Sequence, residues 1–300
     1  MSKILSEIIA AFIPVKWIRN RWRGILRYGP IRAIKLKHYL KKNNDVPYKY
    51  YLTVCAIAKN EGAYFKEWID WHVKMGVEKF YIYDNESTDD THEILRPYID
   101  SGIVEYTFWK GRKQQIPAYD DCFDKHRLDA RWIAVIDLDE FIIPIVHDFI
   151  PEYLKELEKF SSVEINWLIY GSSGAKHKEE GSVMERFKYH SKPSHRSNRN
   201  VKSIVNPRKV FCMSGCHEAA RISGDTVDSR GVPINKHCRE REPQQEVIRI
   251  NHYFSKSYDE FLAKRDRGLA NKINAVYDME RFYRYDLNDI LDENWQRYKL

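Results

Sequence analysis

From residue 50 onward, short apolar runs alternate with stretches whose apolar residues recur at helical spacing. Tyr51-Leu52-Thr53-Val54-Cys55-Ala56-Ile57-Ala58 is a continuous apolar run of strand length. Lys59-Asn60-Glu61-Gly62 turns the chain, and Phe65, Trp68, His72 and Met75 then mark one face of a helix that Gly76 closes. Residues 79–83 read as a second strand running into Asp84-Asn85-Glu86-Ser87-Thr88-Asp89-Asp90, where Ser87, Thr88 or Asp89 can cap the helix carrying Ile94 and Leu95. A third strand is expected over 103–109, a helix over 117–128 and a fourth strand over 132–136. Such alternation predicts an α/β fold with a mostly parallel sheet flanked by helices. Ligands of these sheets bind beyond the carboxyl ends of the strands. Asn60, Asp84, Asp89, Asp137 and Asp139 all fall at such ends.

The fourth strand runs straight into Asp137-Leu138-Asp139-Glu140. Buried carboxylates without partners are too costly to keep, so these groups must be wet or bound to a cation. On an extended chain Asp137 and Asp139 point to one side. Their oxygens suit a hard divalent ion, Mn²⁺ or Mg²⁺, and such an ion can neutralise a diphosphate leaving group. Alone, Asp-x-Asp after a strand is a common accident; among the other strand-end acids it points to an enzyme.

Composition changes the picture mainly at the ends. The chain has 300 residues, a net charge of +7 and five cysteines at irregular spacing, which fits reduced thiols in a cytoplasm better than a disulfide framework. Residues 1–46 form a basic amphipathic segment: Ile4, Leu5, Ile8, Ile9, Phe12 and Ile13 precede a run of Lys and Arg interleaved with Trp17 and Trp22. It lacks the ~20 apolar residues of a membrane span and fits a helix lying on an anionic leaflet. Packing of a solvated basic helix on the domain is the plainer alternative. No nucleic-acid-binding motif accompanies the charge. Residues 47–256 are expected to form the catalytic domain and 257–300 a helical extension. The polar, weakly periodic stretch 172–200 is expected to wall the acceptor side and to order partly on donor binding. Cys212, Cys216, His217, His237 and Cys238 offer zinc-ligand chemistry, but without a paired CxxC.

Several of these segments together resemble a known family. Lys59-Asn60-Glu61, Glu67-Trp68, His72, Gly76-Val77 and Tyr83 to Asp89 are similar to the start of the catalytic domain of family-2 glycosyltransferases, in the bacterial subgroup that grades into family 92. Gln115 with Ala118-Tyr119, Trp132 to Phe141, Trp167 with Gly171 to Gly174, Glu185-Arg186-Phe187, Lys202 to Pro207 and His252 to Ser257 continue the likeness in order. The resemblance implies a GT-A type fold, a nucleotide-sugar donor, a uridine diphosphate hexose above others, and an inverting metal-assisted transfer. It implies that Ala58, Lys59, Asn60, Glu61, Asp84, Gln115, Asp137 and Lys202 bind the donor. Asp137, Asp139 and His252 would hold Mn²⁺ or Mg²⁺, with His217 the second choice of histidine. Lys256 joins Lys202 as a candidate for phosphate contact.

Inverting transfer needs one acceptor-side base; Glu218 is chosen for it, with Glu185 and Asp259 as rivals, and Asp139 is the other catalytic residue. The acceptor is expected to be a surface glycan or a lipid-linked oligosaccharide, with the protein peripheral on the inner face of the cytoplasmic membrane. Two other classes share parts of the pattern. An aspartate-nucleophile phosphatase also places Asp-x-Asp after a strand, but near the start of its domain. A non-catalytic membrane- or polyanion-binding protein on a transferase scaffold would keep the fold without the chemistry.

Overall fold

The apolar runs become the strands of one curled nine-stranded sheet in a computed structural model that describes residues 25–26, 28–267 and 277–300. Its first half follows the predicted alternation. Strands β1 (Tyr50–Ala58), β2 (Lys79–Asp84), β3 (Val104–Phe108) and β4 (Ala130–Val135) are parallel, in the order β3-β2-β1-β4. Helix α1 (Pro30–Lys42) precedes them, and α2 (Gly62–Lys74), α3 (Thr91–Asp100) and α4 (Gln115–His126) connect them. The second half mixes directions. β5 (Glu140–Pro144), α5 (Ile150–Lys155) and β6 (Ser162–Ile169) are followed by α6 (Val183–Arg186), β7 (Tyr189–His190) and β8 (Val201–Val205). The hairpin β9 (Val210–Met213) and β10 (Ala219–Arg221), then β11 (Thr226–Asp228) and β12 (Ile248–His252), lead to α7 (Tyr258–Arg267), α8 (Met279–Tyr285) and β13 (Ile290–Leu291). β8 lies antiparallel between β4 and β6, β12 runs parallel to β6, and β5 closes the path antiparallel to β12. β8 and β5 thus run against the first four strands, while β6, β11 and β12 run with them.

The acidic turn owes its shape to β5. Phe141-Ile142-Ile143 is apolar enough to form a buried strand of its own, so Asp137-Leu138-Asp139 is a connection between two strands. Glu140 N–H donates to the Asp137 carbonyl at 3.1 Å, which makes the segment a turn. The expectation that Asp137 and Asp139 share one side of an extended chain is therefore corrected. Helix α2 fixes this turn from behind. Its Trp68 and Trp71 indoles donate to the carbonyls of Glu140 (2.9 Å) and Ile142 (3.1 Å). His72 Nδ1 donates to the Trp68 carbonyl at 2.7 Å, and its Nε2 accepts the Ile142 N–H at 3.3 Å. Those bonds require the neutral ring, and burial lowers His72 to about 4. Each large aromatic buried here contributes about 1.5–3 kcal/mol of apolar burial.

Helix α1 packs Ala33 and Leu36 against Phe211, Cys212, Ala220 and Ile222, while Ile31 and Ile34 stay exposed. The plainer expectation of a basic helix seated on the domain thus holds for residues 30–42; most of the amphipathic segment, residues 1–24, lies outside the described residues. Among the described residues no helix is long and apolar enough to cross a membrane.

The stretch 172–200 is built into the fold. Val183 and Met184 donate their amides to Glu67, Phe187 is buried, and β7 pairs with β13. Asn198 is fully buried: it accepts from Ile169 N–H and donates to the Ser191 hydroxyl and the Lys192 and Pro193 carbonyls. An amide satisfied on all sides inside the protein anchors this segment. These contacts hold residues 183–200 in the fold.

Candidate active site

Three loops meet at the carboxyl ends of β1, β2 and β4. After β1, Asn60 takes a left-handed backbone (φ 51°), which Asn tolerates better than most residues. Its side-chain oxygen accepts Thr88 N–H at 2.7 Å, and its own N–H donates to Ser87 Oγ at 2.9 Å. Asp84 accepts from Ser87 N–H (2.9 Å) and from the Tyr106 hydroxyl (2.6 Å). Asp89 accepts Gly62 N–H at the start of α2 and also its own neighbour Thr91. The polar residues after β1 and β2 therefore clasp one another into a rigid rim. Ala58 is buried with its carbonyl taken by Asn85 N–H at 2.7 Å, Lys59 is half-buried beside it, and Glu61 pairs with Arg267 at 3.1 Å.

The acidic turn divides into two environments. Asp137, about one-third exposed (35%), accepts from Lys202 Nζ (2.8 Å), Gln115 Nε2 (3.1 Å) and the Tyr119 hydroxyl (3.3 Å). Asp139 is buried; its carboxylate meets Lys264 Nζ and lies 3.4 Å from His252 Nε2. Burial alone would raise Asp139, but Lys264, His252 and Lys256 hold it well below the usual carboxylate range. Glu140, also buried, is pushed well above that range by desolvation, with Asp137 and Asp139 adding to the effect and Lys202 opposing it. The register of β5 on β12 sets His252 opposite Glu140, and Tyr253 N–H reaches back to the Asp139 carbonyl at 2.8 Å. Sheet pairing thus carries the histidine to the carboxylates.

Asp139, Glu140 and His252 bring ligand atoms within 4.8 Å of one another. Glu140 Oε1 and His252 Nδ1 are buried and have no hydrogen-bond partner among the described residues. Two carboxylates and one imidazole, with spare lone pairs, fit a hard or borderline divalent cation such as Mn²⁺ or Mg²⁺. Asp137 stands outside that trio and is linked to it through Lys202, 3.4 Å from Glu140.

Cations crowd around the acidic turn. Lys264 and Arg267 project from α7; Arg267 donates to the Asn60 carbonyl and to Glu61, both at 3.1 Å. Lys256, also at positive φ (51°), is buried over the Tyr64 ring at 3.6 Å. Burial lowers it to about 8, Glu61 and Asp139 opposing and the neighbouring Lys264 and Arg267 reinforcing. Lys202 is held above its ordinary value by Asp137 and Glu140, although burial works the other way. Of these four, Lys264 and Arg267 escape sequence reasoning, since Lys264, Arg265 and Arg267 at the end of a polar helix read as a solvated face. Trp167 packs between His252 (4.2 Å) and His217 (5.4 Å); His217 Nδ1 is 2.7 Å from the Val201 carbonyl, so this histidine lies beside the site without joining the trio.

Glu218 sits apart from the acidic turn, in a group with His237 and Cys238. Its rivals serve other ends: Glu185 accepts from Ser182 at the start of α6, and Asp259 meets His177 on an exposed surface. The five-residue thiol and imidazole set is also corrected. Cys212 lies in the core under α1 and the Cys216 thiol meets Gln115, leaving only His237 and Cys238 together.

A mostly parallel sheet with an acidic turn beyond β4 and a histidine facing it from β12 defines the GT-A class of transferase scaffold. The sequence profile of glycosyltransferase family 92 matches residues 49–290, and the chain belongs to that family. A family 92 protein of Ricinus communis is 28% identical over 131 residues, 42% of this chain and 24% of that protein. Galactan beta-1,4-galactosyltransferase GALS2 of Arabidopsis thaliana is 28% identical over 177 residues, 54% of this chain and 34% of that protein. The chain thus spans about a quarter to a third of the length of these relatives. Both are plant proteins, so the likeness is not confined to bacterial enzymes. Among solved structures, S. aureus TarS in complex with UDP-GlcNAc is 14% identical with a TM-score of 0.37, covering 79% of this chain and 70% of that one.

Proposed function

We propose that the protein transfers a hexose, by inversion, from a uridine diphosphate sugar to a glycan acceptor. The observation that carries this reading is the gathering of Asp139, Glu140 and His252 with Lys264, which contacts Asp139, and Lys256 beside it. A diphosphate bridging a divalent cation and a set of ammonium groups matches that charge pattern. Mn²⁺ or Mg²⁺, held by Asp139, Glu140 and His252 with Asp137 beside them, would neutralise charge on the departing diphosphate.

The chain's own groups do the rest. Ala58, Lys59, Asn60 and Glu61 line the nucleotide side, with Asp84 fixing the rim and Gln115 orienting Asp137. Lys202, Lys256 and Lys264 stabilise the leaving oxygens as negative charge grows. The acceptor hydroxyl oxygen bonds to the anomeric carbon while the bond to phosphate breaks, its electron pair leaving with the diphosphate. The hydroxyl proton passes to Glu218, whose side chain is 30% exposed and open to an acceptor. The likeness to a galactan galactosyltransferase favours galactose over glucose. Exposed Ile31 and Ile34 beside Lys35 and Lys37 support placement on the inner face of the cytoplasmic membrane, and with it a surface-glycan or lipid-linked oligosaccharide acceptor. Nucleic acid is not a partner in this reading.

The test is donor turnover. Release of uridine diphosphate from a panel of uridine diphosphate hexoses should require Mn²⁺ or Mg²⁺ and should vanish in Asp139→Ala. Glu218→Gln should keep donor binding and lose transfer. Release of phosphate from generic esters would instead support a phosphatase, and absence of any donor binding would leave a non-catalytic scaffold.

A further inference from the structure

The group formed by Glu218, His237 and Cys238 lies outside the acidic turn and offers different chemistry. Its carboxylate, imidazole and thiol place one ligand atom each within 4.8 Å of the others. The Cys238 sulfur is 3.7 Å from His237 Nδ1. Tetrahedral zinc, with Zn–S of about 2.3 Å and Zn–N of about 2.0 Å, separates its sulfur and nitrogen ligands by about 3.6 Å. His237 Nδ1 accepts Arg239 N–H at 3.2 Å, so a metal at this nitrogen takes over the lone pair that otherwise caps the short helix at Cys238–Glu240. Glu218 Oε1 is 3.6 Å from His237 Nε2 and accepts from Cys238 N–H at 3.5 Å.

We infer that Glu218, His237 and Cys238 form a second metal site, selective for Zn²⁺ and separate from the Mn²⁺ or Mg²⁺ site at the acidic turn. The two sites differ in ligand softness. Thiolate and imidazole prefer Zn²⁺, whereas the oxygen-rich trio at Asp139 suits harder ions. Three protein ligands leave a fourth position open to water, since the neighbouring carboxylate of Glu164 is engaged by Arg241. Access is from outside: His237 is half exposed (49%), while the Cys238 thiol is buried beneath it. Zinc would take the Cys238 thiol as thiolate and release one proton. The Ser214 amide and hydroxyl hold the Glu218 carbonyl, and the metal would staple this turn to the short helix at Cys238–Glu240.

Cobalt is the probe. Metal-stripped protein, kept in excess Mg²⁺ to fill the acidic turn, is titrated with Co²⁺ and its near-ultraviolet absorption followed. A cobalt–thiolate charge-transfer band saturating at one equivalent is expected, bleached by one equivalent of Zn²⁺. Cys238→Ser should abolish the band, and His237→Ala, a change at a half-exposed position, should weaken Co²⁺ binding at least tenfold with an unchanged circular dichroism spectrum. Asp139→Ala should leave the titration as it is. No thiolate band in the parent protein, or the same band in Cys238→Ser and His237→Ala, overturns the site. Zinc should also arrest transfer in the parent at concentrations that leave His237→Ala active, because it occupies the proposed base. A band with undiminished transfer would still support the site and would remove Glu218 from the reaction.

Discussion

Asp137 and Glu140 share one buried ammonium: Lys202 Nζ lies 2.8 Å from the first and 3.4 Å from the second, and Lys202 is only 1% exposed. Removing that charge leaves a buried carboxyl beside an unpaired carboxylate. Lys202→Met should therefore destabilise the fold by about 3–5 kcal/mol, the cost of breaking a buried ion pair from one side. A urea midpoint equal to that of the parent would refute the shared role.

Asp139 is the carboxylate that the lysine of α7 reaches and that would also hold the proposed metal. Asp139→Asn should lower kcat/KM by a hundredfold to a thousandfold, about 2.7–4 kcal/mol of lost transition-state stabilisation. It should also abolish the rise in thermal stability given by Mn²⁺ plus uridine diphosphate, since a ligand stabilises only the state that binds it. Chelation should silence the parent and readdition of Mn²⁺ restore it; activity that survives chelation contradicts the assignment.

Arg267 ties α7 to the β1 loop through the Asn60 carbonyl and Glu61, on the side where the nucleotide is proposed to bind. Arg267→Ala frees the β1 loop without touching the acidic turn. KM for the donor should rise about tenfold, about 1.4 kcal/mol, with kcat little changed. Arg267→Lys should recover only part of this, because an ammonium cannot reproduce the planar fork. Equal losses in kcat and kcat/KM would place Arg267 at the reacting centre instead.

His72 makes stability depend on pH in one direction. Its value falls from 6.5 in the unfolded chain to about 4 in the fold, so the folded state binds the proton more weakly. The stabilisation is complete above the unfolded value and drains away as pH falls from 6.5 towards 4. Between pH 7 and pH 5 the loss should be about 2 kcal/mol. Urea titrations of the parent and of His72→Gln at both pH values check this; an equal acid loss in the two proteins would remove His72 as the source.

Much of the fold is legible because its first four strands are local. Their apolar runs, and the polar turns after them, predict parallel pairing and a site at the strand ends. The second half is not local. β8 joins β4 to β6, and β5 pairs with β12 more than 100 residues later. Nothing near Glu140 in sequence announces His252 as its cross-strand neighbour. Asp139 and His252 are recognisable because each ends an apolar run. Glu140, followed by Phe141, looks like the last of a row of acids, yet it opens a buried strand. Lys264 and Arg267 are hidden by a helix whose composition is that of a wet surface.

The stretch 172–200 combines polarity with anchoring contacts. Its polarity suggests a mobile wall, but polar residues such as Asn198 are there to satisfy buried backbone groups. Limited proteolysis between residues 191 and 200 should be equally slow with and without uridine diphosphate and Mn²⁺. Protection that appears only with ligand would restore the mobile wall. Asn198→Ala should accelerate cutting there in both conditions, since it strands several polar partners.

Asp292 has a bearing on how the chain matures. It is 3% exposed and receives the hydroxyls of Tyr170 and Tyr298 and the guanidinium of Arg249. Tyr170 and Asp292 are 122 residues apart, so this cover on the β6–β12 layer closes only when distant parts of the chain meet. A contact of that separation forms slowly beside neighbouring strand pairs, and until it forms Tyr170, Tyr298 and Arg249 lack their common carboxylate.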